Sequence, residues 1–422
     1  MNKEVALNWL YSLQRFGIKP GLERVLKVLD YLGNPHKRIQ SIHITGTNGK
    51  GTTAVNIASI LKEANYKVGL YTSPHLVNFN ERIQINGALI PDEYLIEFAQ
   101  DIKLIQRQTN ATFFELTTAL ALQYFAENDV DFAVLEAGMG GQNDATNVVT
   151  PIISIITSIG LEHQEYLGDS LEKIAHDKAG IFKKEAFALV AEKHHKQLNP
   201  IFQQIAKERN STLFFFDELC EITPTIIDDE FYSTFYIKAF NKSAQYRTQF
   251  IGDQQARNIA TSVVAIELLN YNLNIPAQTI VKAIANARKN FVFDGRMQIK
   301  SQNPLVIYDV AHNPDAFRQL IATLEQLGLI GKINLCFAAM QDKDYRTIAN
   351  FVDGKFENII ITQPKIERAA TSTEIAKHFS KSNIIISQSV CQAVQMIKEQ
   401  NLPIIYAGSF YLIGEVIECM GN

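Results

Sequence analysis

The stretch "SIHITGTNGKGTT" runs from Ser41 to Thr53. It opens as an apolar run that reads as a buried strand. A glycine-rich turn follows around Lys50, and "KGTTAVNIASILKEANY" then reads as a helix. Strand, glycine turn, lysine and helix N-terminus stand in the order a phosphate site needs. Glycines let the backbone approach the anion, exposed N–H groups and the helix dipole face it, and Lys50 neutralises charge. The spacing departs from the ordinary phosphate loop, which has four residues between its glycines and a Ser or Thr directly after the lysine. Here Gly46 and Gly49 enclose only Thr47 and Asn48, and Gly51 separates Lys50 from Thr52. These residues alone leave a plain glycine-rich turn with an exposed lysine as the alternative.

Outward from this loop, short β-branched runs alternate with helical patterns. "SIHIT" (41–45), "KVGLY" (67–71), "DFAVLEA" (131–137), "IISIITSI" (152–159) and "AFALVAE" (186–192) read as strands. "FFELTTALALQYFAEN" and "SLEKIAHDKAGIFKK" read as helices between them. This alternation implies an α/β fold with a mostly parallel sheet covered on both faces. Residues 211–251 are rich in Phe, Tyr, Thr and Ile and read as a small antiparallel addition. Helices are expected at about 253–270 and 276–289. A second series, "PLVIYDV", "KINLCFA", "ENIIIT", "NIIIS" and "LPIIYAG", reads as a smaller, doubly wound Rossmann-like C-terminal domain. The division is placed between residues 1–292 and 293–422.

Composition narrows the function classes. With 422 residues, two domains are expected. The net charge of -4 supplies no global field for nucleic acid, and no long basic run is present. The four cysteines are scattered without a C-x-x-C pair, so neither a zinc site nor a disulfide framework is expected. The N-terminus lacks the apolar core of a secretory signal, and no apolar run reaches the ~20 residues of a membrane helix. These features point to a cytoplasmic protein, expected to be monomeric, without nucleic-acid or membrane partners.

Several residues suggest chemistry by themselves. Glu136 ends a buried strand before a glycine-rich turn. A carboxylate there sits at a cleft edge and suits Mg²⁺ beside a nucleotide, although a solvated strand end is the plainer reading. Arg296 offers the planar donor fork that suits phosphate. Asp309 ends a strand and could accept from a ribose. Asn313 is a natural helix N-cap, and His312 beside it leans towards a site in the cleft between domains.

"GTNGKGT" resembles the shortened phosphate loop of the ATP-dependent amide ligases that include the peptidoglycan Mur ligases. The glycine after the lysine is similar to the folate branch of that family. The resemblance continues in order through "GLERVLKVLDYLGNP" (21–35), "YTSPHLVNFNERIQING" (71–87), "TFFELTTALALQYF" (112–125), "LEAGMGGQNDATN" (135–147), "TSIGLEHQEYLGDSLEKIAHDKAGIF" (157–182), "DGRMQ" (294–298), "YDVAHNPDA" (308–316) and "AGSFYLIGEV" (407–416). It implies a two-domain ligase that uses ATP and joins L-glutamate to dihydropteroate or to folates through an acyl phosphate. Thr47, Asn48, Gly49, Lys50, Gly51, Thr52, Asn258, Arg296 and Asp309 would then hold the nucleotide. Two magnesium ions are implied, with Ser73, Glu136, His163 and Lys178 as ligands, Lys178 as a carbamate. Lys50, His163, Lys178 and His312 would take part in catalysis.

Gly21 and Leu22 in "KPGLER", Phe113, Phe114 and Glu115 in "TFFE", and Asp144 and Ala145 match segments that enclose the pterin. Phe113 and Phe114 fit ordinary core packing equally well. The chain departs from the family pattern at Gln142-Asn143, at Gln254, and at Glu162, one methylene longer than the family's aspartate. A folylpolyglutamate synthase without dihydropteroate activity, a peptidoglycan-precursor ligase and an ATP-binding switch are the rival readings. The precursor ligases usually carry another domain ahead of the loop, whereas 45 residues precede Gly46 here.

Overall fold

The computed structural model of the chain describes residues 2–17 and 19–421. The opening stretch folds as β1 (Ser41–Thr45), running into the helix Lys50–Glu63. All five residues of β1 are buried. Ile42 and Ile44 point to one face and pack against Ala54, Val55 and Ile57 of that helix. Each fully buried isoleucine contributes about 1.5–3 kcal/mol. Ser41, His43 and Thr45 point to the other face, since side chains alternate along a strand. β1 is a central strand, flanked on both sides by parallel partners, and that explains its unbroken burial.

The first sheet has eight strands: β1, β2 (Val68–Tyr71), β3 (Ile83–Ile85), β4 (Ala88–Leu89), β5 (Phe132–Glu136), β6 (Ile153–Ile156), β7 (Phe187–Val190) and β8 (Thr212–Phe215). Their order is β4-β3-β2-β5-β1-β6-β7-β8. Only the edge pairings β2–β3 and β3–β4 are antiparallel, so β3 alone runs against the other strands. A second sheet holds β9 (Cys220–Ile222), β10 (Ile226–Ile227), β11 (Ser233–Ala239) and β12 (Lys242–Thr248), all antiparallel.

The expected antiparallel addition over 211–251 is therefore too long at its start. Thr212–Phe215 pairs in parallel with β7 and closes the main sheet. The Phe214 ring meets Phe187 edge-on at 5.6 Å, so the aromatic run belongs to the packed edge of the parallel sheet. The helix expected at 276–289 breaks into Ala277–Ala285 and Ala287–Asn290.

The third sheet is six-stranded: β13 (Gln298–Gln302), β14 (Leu305–Asp309), β15 (Asn334–Phe337), β16 (Ile359–Ile361), β17 (Ile384–Ile386) and β18 (Ile404–Ala407), in the order β13-β14-β18-β15-β16-β17. Only β13 is antiparallel, and the polar sequence "QIKSQ" explains why it escapes an apolar-run reading. Arg288 clasps the segment between the first and third sheets, donating to Phe293 O at 3.1 Å and Arg296 O at 2.6 Å.

The expectation of no disulfide fails at one pair. Cys391 opens the helix Val390–Gln400 and Cys419 closes the helix Phe410–Met420, and the two are bonded, with Cα atoms 5.2 Å apart. They lie 28 residues apart in sequence, so only the packing of the two helices discloses them. Cys220 and Cys336 are free and buried. Among the described residues, no helix is long and apolar enough to cross a membrane.

Candidate active site

A cavity of about 300 Å³ opens between the first and third sheets. It is lined by loops that leave the carboxyl ends of β1, β2, β5 and β6 on one side and β14, β15 and β18 on the other. Carboxyl-end crevices are where open α/β sheets bind ligands.

The turn after β1 is braced before any ligand arrives. The Thr47 amide donates to Ser158 O and the Asn48 amide to Ser158 Oγ, both at 2.9 Å. Gly160 N donates to Thr47 Oγ1 at 2.9 Å. Gly49 sits at φ +91°, where a side chain would strike Asn258. Lys50 curls over the turn, its Nζ 2.7 Å from Gly46 O and 3.1 Å from Thr47 O. A cation and a helix start thus face one concavity.

Glu136 ends β5, buried, and its Oε2 accepts from Ser73 N at 3.1 Å. Burial pushes its carboxyl up, against the pull of the Lys50 charge. Behind the cavity, Lys178 Nζ lies 3.1 Å from Glu162 Oε1. Burial alone would raise Glu162, but the Lys178 and Lys50 charges outweigh it and hold its carboxyl at about 2. Burial pulls the Lys178 amine below its ordinary value. His163 stands in the left-handed region at φ +47° and is held neutral, at about 4, by burial and Lys343.

Across the cavity, Asp309 is a bracket for backbone: its Oδ2 accepts from Met297 N and its Oδ1 from Ala311 N, both at 2.8 Å. The Arg296 guanidinium lies 5.2 Å from the Phe293 ring centre and 4.9 Å from that of Phe410. His312 donates Nδ1–H to Val310 O at 2.9 Å, leaving Nε2 as the unprotonated nitrogen. Burial lowers it to about 4. Asn313 caps the helix Pro314–Gln326 and exchanges amide hydrogen bonds with Asn48 at 3.0 and 3.4 Å.

Family comparison agrees with this two-sided arrangement. Residues 44–266 match the Mur ligase middle domain and residues 295–409 the Mur ligase glutamate ligase domain. The dihydrofolate synthase/folylpolyglutamate synthase of Bacillus subtilis is 33% identical over 97% of both chains. The chain belongs to the Mur ligase family. Within it, the chain groups with the dihydrofolate synthase/folylpolyglutamate synthases. The Escherichia coli member is 31% identical over 98% of this chain and 94% of its own. Escherichia coli FolC, solved with DHPP and ADP, superposes with a TM-score of 0.87 at 30% identity, covering 98% of this chain and 97% of its own.

Of the residues singled out in the sequence of this Mur ligase, the cavity gathers Thr47 to Thr52, Ser73, Glu136, His163, Asn258, Arg296, Asp309 and His312. Lys178 stands behind Glu162 with its side chain 1% exposed. The pterin set lies apart. The Phe114 ring packs on Gly138, and Phe113 packs with Tyr11 and Phe79. Glu115 is spent on a capping box with Thr112 and on Arg24 at 3.0 Å. Gly21 takes φ +116°, Leu22 packs against the neighbouring core, Ala145 is buried in it, and Asp144 caps the turn Ala145–Val148.

Sequence reasoning passed over Lys343 and Arg368, which line the third-sheet side without a motif, and assigned no role to Tyr411 within "AGSFYLIGEV". It also passed over Arg82, inside the quoted "NERIQING". Arg82 is 7% exposed, and its hydrogen bond among the described residues goes from Nε to His75 Nδ1, a neutral acceptor 2.7 Å away. Its guanidinium lies near the Phe79 and Phe113 rings. The polar stretch around it, with Asn80 and Glu81 just before, gave no sign in sequence that this cation is buried.

Proposed function

We propose that the protein is an ATP-dependent ligase that joins L-glutamate to dihydropteroate and to reduced folates, working in the cytoplasm as a monomer. The observation that carries the reading is the braced Lys50 turn with Glu136 and Ser73 beside it and His312 across the same cleft. The chain divides at 292/293 into a nucleotide-binding part and a glutamate ligase part.

A substrate carboxylate attacks the γ-phosphorus of ATP, the bond to the bridging oxygen breaks, and ADP leaves an acyl phosphate. Lys50 and the turn amides spread the charge of the transferred group. Arg82, which makes no ion pair with an acidic side chain among the described residues, suits the incoming carboxylate. The α-amino group of glutamate then attacks the acyl carbon, and phosphate departs with the C–O bond electrons. His312, whose Nδ1–H is engaged by Val310 O, would take the amine's proton on Nε2. Lys343 and Arg368 supply positive charge for the glutamate carboxylates. Closure of the cleft keeps water from the acyl phosphate.

Among the described residues no three His, Cys, Asp or Glu side chains converge as a protein-only cage. That suits magnesium, which takes one or two carboxylates and leaves its other positions to phosphates and water. Glu136 and Ser73 would hold one ion, and His163 with Lys178 a second. Magnesium bound there offsets phosphate charge. As an ammonium paired with Glu162, Lys178 is no ligand. Carbamylation would turn the pair into two anions that a cation reconciles.

The test is a substrate panel: dihydropteroate, tetrahydrofolate and a muramoyl precursor, each with ATP and glutamate, with product masses measured. Glutamylation of both pteridines is expected. Activity on the folate alone would leave a single-function folylpolyglutamate synthase. ATP binding without any ligated product would overturn the reading.

A further inference from the structure

His43 is fully buried on the sheet face opposite the helix Lys50–Glu63. Its Nε2 lies 2.7 Å from Thr146 Oγ1. That hydroxyl lies 2.5 Å from Asp144 Oδ1, to which it donates. A hydroxyl has one proton, so Thr146 accepts from His43, and His43 is the Nε2–H tautomer. Its Nδ1 is sealed without a partner. If packing were the whole task, an apolar side chain would fill the site without that buried, unsatisfied nitrogen.

Asp144 also accepts from Met139 N and Thr146 N, both at 2.9 Å, so one carboxylate ties together the two arms of the loop after β5. Two residues beyond His43, Thr45 Oγ1 donates to Gly140 O in the same loop. Gly46, the first residue of the nucleotide turn, comes next. One strand therefore grips the Asp144 loop with two side chains and carries the phosphate turn at its end.

We infer that His43 is a positioning residue for the pteridine end of the substrate, acting through Thr146 on Asp144. The inference rests on the ligase reading, with Asp144 beside the pterin. Burial and the positive charge of Lys183 lower His43 to about 3, so the ring stands as a neutral donor to Thr146.

The test compares KM values of His43→Leu, His43→Gln, Thr146→Val, Thr146→Ser and Asp144→Asn. The acceptor is whichever of dihydropteroate and tetrahydrofolate the wild type uses. His43→Leu and Thr146→Val are expected to raise the acceptor KM about tenfold while the KM for ATP stays within about twofold. A tenfold change is 1.4 kcal/mol at 25 °C. Gln retains a donor and Ser a hydroxyl, so both should restore most of the loss. An unchanged acceptor KM, or ATP and acceptor constants rising together, overturns the inference. If His43→Leu fails to fold, Thr146→Val carries the same outcomes. A raised KM in Asp144→Asn alone overturns the relay and leaves Asp144 at the pterin. An unchanged KM in Asp144→Asn removes Asp144 from the pterin and the inference with it. A wild type that ligates neither acceptor overturns the ligase reading itself.

Discussion

The two faces of the cleft are built differently. On the first-sheet side the phosphate turn is held by its neighbours: Ser158 takes two of its amides, and Thr47 and Gly160 are bonded to each other. On the third-sheet side the polar groups hang from strand ends. Asp309 and His312 are tied to backbone near themselves, while Lys343 lies 3.7 Å from its nearest carboxylate, Asp342. The loops meet through the Asn48–Asn313 amide pair. A preset anion receptor thus faces a set of side chains that are braced less by one another. Such division suits a reaction in which one partner is activated before the other arrives.

The comparison is broken most severely at Lys50. Lys50→Ala should lower turnover by about a hundredfold or more in a protein that stays folded, because a preorganised charge in such a site is worth several kcal/mol. Steady-state rates beside a thermal melt check it, and near-normal ligation would deny the first side its privileged role.

A smaller but selective loss is expected behind the turn. Lys178→Ala should lose most activity and regain part of it with added acetate, if the lysine works as a carbamate. A fully active alanine variant, or unmodified lysine in crystals grown with bicarbonate, would leave Lys178 as the structural partner of Glu162.

The smallest effect belongs to the contact between the sides. Asn313→Asp keeps a good N-cap and removes the amide donor to Asn48. Stability should change by less than about 0.5 kcal/mol, while the KM for ATP rises about twofold to threefold, on the scale of one modest hydrogen bond. Equal KM values would mean that the two sides act independently in holding nucleotide.

The same asymmetry governs what could be read from the chain. The phosphate turn is legible because its chemistry lies in consecutive residues, 46 to 52, where glycine and lysine spacing is the mechanism. The buried strands β1, β5 and β6 are legible because apolar runs have few other uses. Lys343 and Arg368 come from two separate loops, and no local pattern marks where loops meet. Glu115 shows the converse: a motif residue whose carboxylate is absorbed by a helix cap and Arg24. β13 and the Cys391–Cys419 pair were hidden for related reasons, one being a polar strand and the other two residues joined only by packing.

The residue after Lys50 carries a consequence for anyone redesigning the scaffold. A Cβ at Gly51 would stand 2.8 Å from the Phe293 ring and 3.4 Å from Glu136 Oε2. Phe293 belongs to the segment that joins the first and third sheets. An ordinary phosphate loop, with its hydroxyl residue in that position, cannot be grafted here unless position 293 is made smaller in the same step. The short loop and the joining segment are therefore one transplantable module, and recombination that cuts between them would yield a misfitting chimera.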